Sequence, residues 1–270
     1  MADLIVIPAR YGSTRLPGKP LLEIAGHSLL SRVIHVARTA QHSFDNVEII
    51  VATDDDRIRE HAVSLGCEAV MTDSSISSGS GRALAAANSC AVRPEVVVNL
   101  QGDAPFIPAS VVKQMLETSR ATEGVVTPVS VLSWDQLDIL REHKKAAPFS
   151  GTTCVRAPDG RAHWFSKSIL PAIRGEEALR ASESMSPVLR HLGLYAYRHA
   201  ALTAFEAAPP SLYEELEGLE QLRFFALGIP VTTVEIAPPR ISMSGIDTVE
   251  DITLAEQMIA TFGDPMDQTT

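Results

Sequence analysis

Three cations stand close together in the segment Ile7–Pro20, IPARYGSTRLPGKP: Arg10, Arg15 and Lys19. Gly12 and Gly18 lie in the same segment and let the backbone approach a ligand closely. The chain as a whole is acidic, with a formal net charge of −10. Such a local cluster suits a polyphosphate, because arginine offers bidentate contacts and lysine a compact positive charge. Each cation alone reads equally well as a solvated surface group; it is the group of three beside two glycines that points to a site. The spacing is not that of a Walker A loop. Five residues separate Gly12 from Gly18, and Pro20 stands where Ser or Thr would bind a metal. A G-x-G-x-x-G dinucleotide fingerprint is also absent.

Two acidic positions complement the cations. Asn99-Leu100-Gln101-Gly102-Asp103 puts an aspartate just past an apolar run, and Gly245-Ile246-Asp247-Thr248 puts another just before the last helix. Together they suit Mg²⁺, which takes one or two carboxylates with phosphate oxygens and waters. Asp247 has a second reading, as the cap of that helix. The small residues Ser78, Gly79 and Ser80 would let backbone groups reach a base. His191 and Tyr195 stand four apart in a run taken as one strand, so they share a face. They read either as pocket lining or as structural residues.

These residues need a scaffold, and the hydrophobic pattern supplies one. Leu4–Ala9, Val47–Thr53, Glu68–Thr72 and Glu95–Leu100 are short apolar runs without alternation, as in strands buried on both faces. Helical patterns fall between them, at Leu29–Ala37, Asp55–Leu65 and Arg82–Ala91, and a further one covers 109–119. This order predicts an α/β, Rossmann-like fold: a mostly parallel mixed central sheet with helices on both faces and right-handed crossovers. Ligands of such sheets bind beyond the carboxyl ends of the strands, where the cationic segment lies. Val125–Val131 is extended. Asp159-Gly160 between Thr152–Val155 and Ala162–Phe165 predicts a β-hairpin. Leu192–Tyr197 and Val231–Ile236 read as strands, Ser211–Phe225 as one helix with a Ser211/Glu214 capping box, and Thr248–Phe262 as the last helix. Leu212, Leu216, Leu219 and Leu222 form the apolar stripe of the Ser211–Phe225 helix, expected in the core. Arg174–Pro187 is expected to be a mobile surface loop. One domain spans 1–263, with a nucleotide-binding part at 1–130 and a second part at 131–247. A flexible tail follows at 264–270.

Composition narrows the function. The 270 residues are 45% hydrophobic and 21% charged, enough for a sizeable core without disulfides. The three cysteines are widely spaced with no CxxC, which fits a reducing cytoplasm and neither a zinc site nor a disulfide framework. The N-terminal run has no basic flank and ends at Pro8, unlike a signal peptide, and no stretch approaches the roughly 20 apolar residues of a membrane span. The acidic balance argues against nucleic acid as a partner.

Pro8 to Leu21, Pro-Ala-Arg-Tyr-Gly-Ser-Thr-Arg-Leu-Pro-Gly-Lys-Pro-Leu, closely resembles the N-terminal signature of the 3-deoxy-manno-octulosonate (Kdo) cytidylyltransferases, the CMP-Kdo synthetases. VNLQGD around Asp103, IDTVED around Asp247, HLGLYAY at His191–Tyr197 and LEQLR at Leu219–Arg223 are similar to that family's segments. The resemblance runs from about Leu4 to Ile259. It implies transfer of CMP from CTP to the anomeric hydroxyl of Kdo, for lipopolysaccharide synthesis. It implies CTP contacts from Pro8, Ala9, Arg10, Gly12, Ser13, Arg15, Lys19, Ser78, Gly79 and Ser80, with Lys19, Arg15 and Asp103 catalytic. Asp103 and Asp247 would hold Mg²⁺. Arg82, Gln101, Lys167, His191, Tyr195, Glu220 and Gln221 would line the sugar site, Arg82 or Lys167 pairing with the sugar carboxylate. The family also implies a homodimer through the second part. Departures gather on the sugar side: Gly81 for an acidic residue, Ala104 for Glu or Gln, Thr153 for Lys and Lys167 for Arg. They leave open another ulosonic acid as acceptor, or a non-catalytic nucleotide-binding protein.

Overall fold

Leu4 and Val6 face one side of β1 (Asp3–Ala9) and Ile5 and Ile7 the other, and all four are buried. That is why the run shows no alternation: helices cover both faces of the strand. The computed structural model describes residues 3–12, 16–238, 243 and 245–267. After β1 come the two-residue strands β2 (Glu23–Ile24) and β3 (His27–Ser28), then α1 (Leu29–Gln41), β4 (Val47–Thr53), α2 (Asp56–Ser64) and β5 (Glu68–Met71). Next are α3 (Gly79–Ser89), β6 (Val96–Asn99), α4 (Ala109–Ala121), β7 (Val125–Ser133) and α5 (Trp134–Ala146). The second part holds β8 (Thr153–Arg156), β9 (Ala162–Ser166), α6 (Glu176–Ser182), β10 (Met185–His191) and β11 (Tyr195–Arg198). It ends with α7 (His199–Ala207), α8 (Leu212–Glu217), α9 (Leu222–Ala226), β12 (Val231–Glu235) and α10 (Val249–Phe262).

Ten strands form one sheet in the order β5-β4-β1-β6-β11-β7-β10-β8-β9, with β12 also on β7. The β5-β4-β1-β6 half is all parallel, while β6-β11-β7-β10-β8-β9 run antiparallel to their neighbours. One apolar cluster packs α1, α2 and α4 against one face. A second packs α3, α7 and α9 against the other.

Several expected elements come out differently. Ser211–Phe225 is two helices, because Gly218 closes α8 in a left-handed conformation with φ of 62°. Its capping box forms as expected, but Leu212 and Leu216 are exposed and only Leu219 and Leu222 reach the core. Within Arg174–Pro187, α6 is held by ion pairs of Glu176 with Arg141 and Arg180, and the Arg180 guanidinium covers the Trp134 ring, so most of the segment is structured. The Leu192–Tyr197 strand is shorter. His191 ends β10 and Tyr195 begins β11, so the two residues do not share one strand. α5 and α7 were not read from the sequence. α5 opens with a Ser133/Gln136 capping box, and its Leu137 and Leu140 pack against Leu132 and Val188.

The start of the expected flexible tail is tied down. The Arg32 guanidinium, almost wholly buried, donates to Asp264 Oδ1 at 2.8 Å and Oδ2 at 2.9 Å and also to the Ile24 carbonyl. Arg32 holds the Asp264 carboxyl below its ordinary range. Asp264→Ala strands that charge and should lower stability by about 3–5 kcal/mol in thermal or denaturant melts. Because the folded-state pKa is depressed, the contribution is present at neutral pH and is lost as pH falls through the carboxylate range. The gap between wild type and variant should therefore narrow in acid.

Candidate functional site

Gly102 fixes the geometry of the strand-end cleft. A Cβ at Gly102 would lie 2.3 Å from the Pro8 carbonyl oxygen, closer than any side chain tolerates. The loop after β6 therefore rests directly on the end of β1, and Asp103 follows at once. A third segment docks on the same loop: the Ile246 amide donates to the Asp103 carbonyl at 2.9 Å. Ile246 itself is buried with Leu16, Ile24, Phe106 and Ala255. Thr248, not Asp247, caps α10, in a capping box with Asp251. The cap role is thus filled, and the Asp247 carboxylate accepts from Lys19.

Lys19 Nζ lies 2.9 Å from Asp103 Oδ2 and 3.1 Å from Asp247 Oδ1. Two carboxylates from distant parts of the chain thus converge on one point. They are hard oxygen donors, and their convergence fits a divalent cation of the Mg²⁺ type. Gly18, left-handed at φ of 72°, packs beneath the Tyr11 ring and starts the short helical turn that carries Lys19. Arg57, held by Asp55, stacks 3.5 Å from the centroid of that ring.

A cleft of about 390 Å³ opens around this group. Pro8, Ala9, Arg10, Lys19, Gln101, Asp103 and Asp247 border it, with Ser78, Gly79 and Arg82 across from them. Ser78 and Gly79 begin α3, where Ser78 Oγ accepts from the Gly81 amide. The positive end of that helix at the cleft favours an anion. Gly12 does not border the cleft, and Ser80 is fully buried, its hydroxyl 3.4 Å from Glu220. Ser13 and Arg15 lie outside the described residues.

The residues expected around a sugar separate into groups. Gln101, Tyr195, Glu220 and Gln221 line a second cavity, joined there by Glu214 and Glu215. Gln221 Nε2 is buried with no partner among the described residues. Burial, then the nearby Glu206, pushes the Glu220 carboxyl up. Gly81 is demanded locally, since a Cβ there would meet Ser78 Oγ at 2.9 Å and the Glu206 carboxylate at 3.1 Å. His191 borders a third cavity, shared with Gln101 and Asp103. Its Nε2 is 2.8 Å from Thr127 Oγ1 and its ring packs on Phe165 and Tyr195. Burial pushes its pKa down to about 3, so the ring is neutral at physiological pH.

Neither cation expected to meet a sugar carboxylate is placed to do so. The Arg82 guanidinium is bound inside the protein by Asp54 at 2.5 Å, by Thr72 and by the Ile76 carbonyl. Lys167 borders a separate cavity with Lys144, Phe149 and Tyr213. Thr153, where a lysine was expected, is buried and ties β8 to the Ser168 carbonyl and the Leu170 amide. Sequence reasoning missed Arg190, which lines the third cavity. Its only signal was a charge inside the apolar run before His191.

A mixed sheet whose parallel half ends in a cleft edged by Arg10, Lys19 and the amino end of α3, with a carboxylate pair beside it, is the arrangement of an enzyme of the nucleotidyltransferase class. The family described as Cytidylyltransferase matches residues 4–233. A 3-deoxy-manno-octulosonate cytidylyltransferase of Maricaulis maris is 39% identical over 98% of this chain and 99% of its own length. One from Legionella pneumophila is 36% identical, covering 94% of each chain. The solved structure of a CMP:2-keto-3-deoxy-manno-octonic acid synthetase complexed with CTP aligns with a TM-score of 0.81 at 33% identity, over 97% of this chain and 99% of that one. A cytidylyltransferase from Leptospira borgpetersenii shares the fold, with a TM-score of 0.62 at 17% identity over 100% of this chain and 91% of its own. The chain belongs to the cytidylyltransferase family and, within it, to the 3-deoxy-manno-octulosonate cytidylyltransferases.

Gly102→Ala should push the Asp103 loop off β1. With Asp103 displaced by about an ångström, turnover should fall on the order of 10²-fold, read in a pyrophosphate-release assay beside a thermal melt.

Proposed function

We propose that this protein transfers CMP from CTP to the anomeric hydroxyl of 3-deoxy-manno-octulosonate, giving CMP-Kdo and pyrophosphate for lipopolysaccharide assembly. The observation that carries this reading is the convergence of Asp103, Asp247 and Lys19 in a cleft at the amino end of α3 that adjoins a second cavity at Gln101. The anomeric oxygen bonds to the α-phosphorus as the bond to the bridging α–β oxygen breaks. Pyrophosphate takes that electron pair, and the hydroxyl proton passes to solvent. The protein's work is positioning and charge compensation, as in other phosphoryl transfers. Arg10 and Lys19, with Arg15 from its place in the sequence, neutralise the triphosphate. Asp103 and Asp247 are the residues that would hold Mg²⁺, which when bound would lower the pKa of a neighbouring hydroxyl and offset phosphate charge. Tyr195, Glu220 and Gln221 receive sugar hydroxyls.

A second copy of the chain is the expected partner. Phe149, Leu212, Tyr213 and Leu216 stand exposed on the second part, an apolar surface suited to self-association. No helix among the described residues is long and apolar enough to cross a membrane. The cysteines Cys67, Cys90 and Cys154 are all free, which fits a reducing cytoplasm.

Pyrophosphate release with CTP, Mg²⁺ and Kdo, run beside UTP, GTP and other ulosonic acids, tests the reaction. Turnover restricted to CTP and Kdo is expected. Turnover with CTP and a different acid moves the acceptor assignment, and CTP binding without turnover by any acid makes the protein a nucleotide binder. Asp103→Asn should cut kcat at least on the order of 10²-fold while CTP binding, measured by titration calorimetry, is largely kept. Normal turnover by that variant would remove Asp103 from the metal site.

A further inference from the structure

The acceptor of the proposed reaction is an acid, and its carboxylate needs a counter-charge that Arg82 and Lys167 do not provide. The two cavities that meet beside the nucleotide cleft differ in charge. The one at Tyr195 is edged by Glu214, Glu215 and Glu220; Arg223 pairs with Glu214 from behind, and no cation is among the described residues that line the cavity. It suits hydroxyl groups and repels a carboxylate. The other, of about 360 Å³, holds Arg190 among apolar walls that include Leu132, Leu140 and Leu194.

Arg190 lies opposite Ser130 in the β10–β7 ladder, so both side chains point to the face covered by α5. Gln136 and His143 of α5 add potential donors. Gln136 Oε1 already accepts from the Ser133 amide in its capping box, leaving the Gln136 NH₂ group as donor. No acidic side chain pairs with Arg190 among the described residues, and its surroundings disfavour the charge through desolvation alone. A half-buried guanidinium without a counter-ion is costly for a fold to keep, and an anionic ligand offsets that cost. Gln101 and Gly193 border both cavities, and Asp103 borders the one with Arg190. With no side chain and nothing within 4 Å of its Cβ position, Gly193 leaves the passage between them open.

We infer that Arg190 receives the carboxylate of the sugar-acid acceptor, whose body spans Gln101 and Gly193 so that its hydroxyls reach the acidic cavity at Glu220 and its anomeric oxygen stays by Asp103. This assignment rests on the transfer reaction proposed above. It makes charge complementarity, carboxylate to Arg190 and polyol to Glu220, the device that orients the acceptor.

The test is steady-state kinetics of wild type, Arg190→Gln and Arg190→Lys with CTP and Kdo, and with the Kdo carboxamide. Arg190→Gln should raise KM for Kdo about 10- to 100-fold with KM for CTP within about 2-fold, the size expected for losing a charge-assisted contact. Arg190→Lys should recover part of the loss. The carboxamide should bind wild type and Arg190→Gln alike, because its group carries no charge for Arg190 to meet. The thermal midpoint of Arg190→Gln should stay level or rise, since a desolvated charge is removed, which separates lost binding from lost folding. An unchanged KM for Kdo, or an equal penalty on acid and carboxamide, overturns the assignment. If wild type releases no pyrophosphate with Kdo, the reaction fails, and calorimetric binding of Kdo decides Arg190 separately. Binding lost in Arg190→Gln supports it; equal binding, or none by wild type, overturns it.

Discussion

Two carboxylates held against one ammonium organise this structure. Asp103 and Asp247 would repel each other at such a separation, and Lys19 between them makes the arrangement tolerable. Three pieces of chain must arrive together for that to happen. The loop after β6 is seated on β1 by the absence of a side chain at Gly102. The segment before α10 is seated on that loop by the Ile246 amide and the burial of the Ile246 side chain. Lys19 is set by the left-handed Gly18. A divalent cation and a polyphosphate need the same convergence of opposite charges, so the constraint that shapes the fold here also shapes the chemistry.

The sheet divides labour around this point. Its parallel half ends in loops that gather cations and the amino end of α3, a place for phosphates. Its antiparallel half turns other surfaces toward the same strand ends and builds the cavities for a second substrate. β11 joins the halves, pairing with β6 on one side and with β7 on the other. Because the sheet is continuous, the distance between the two substrates is set by strand spacing rather than by a hinge, which suits an in-line transfer needing close and fixed approach.

Much of the nucleotide side was legible in the sequence. Strands buried on both faces leave unbroken apolar runs, and the glycines and cations of the first loop stand next to each other along the chain. The sugar side was far less legible, for identifiable reasons. Gly218 breaks a helix whose leucine spacing continues through it. His191 and Tyr195 seemed to share a strand, because the turn at Leu192–Leu194 carries no polar punctuation. Arg82 looked free for a ligand, yet Asp54 and Thr72 hold it inside. Arg190 lies outside every element read from the sequence, and only the folded chain shows that no acidic side chain among the described residues pairs with it.

The sequence by itself determined the family, the α/β class and the cationic loop, because these depend on residues near one another in the chain and on periodicity. Tertiary structure alone decided which charges are already neutralised and which remain available. Lys19, Arg82 and Arg190 are all cations in sequence, but two of them meet carboxylates far away along the chain and the third, among the described residues, does not. A pairing of that kind depends on how the sheet and its loops fold back together, and no local pattern encodes it.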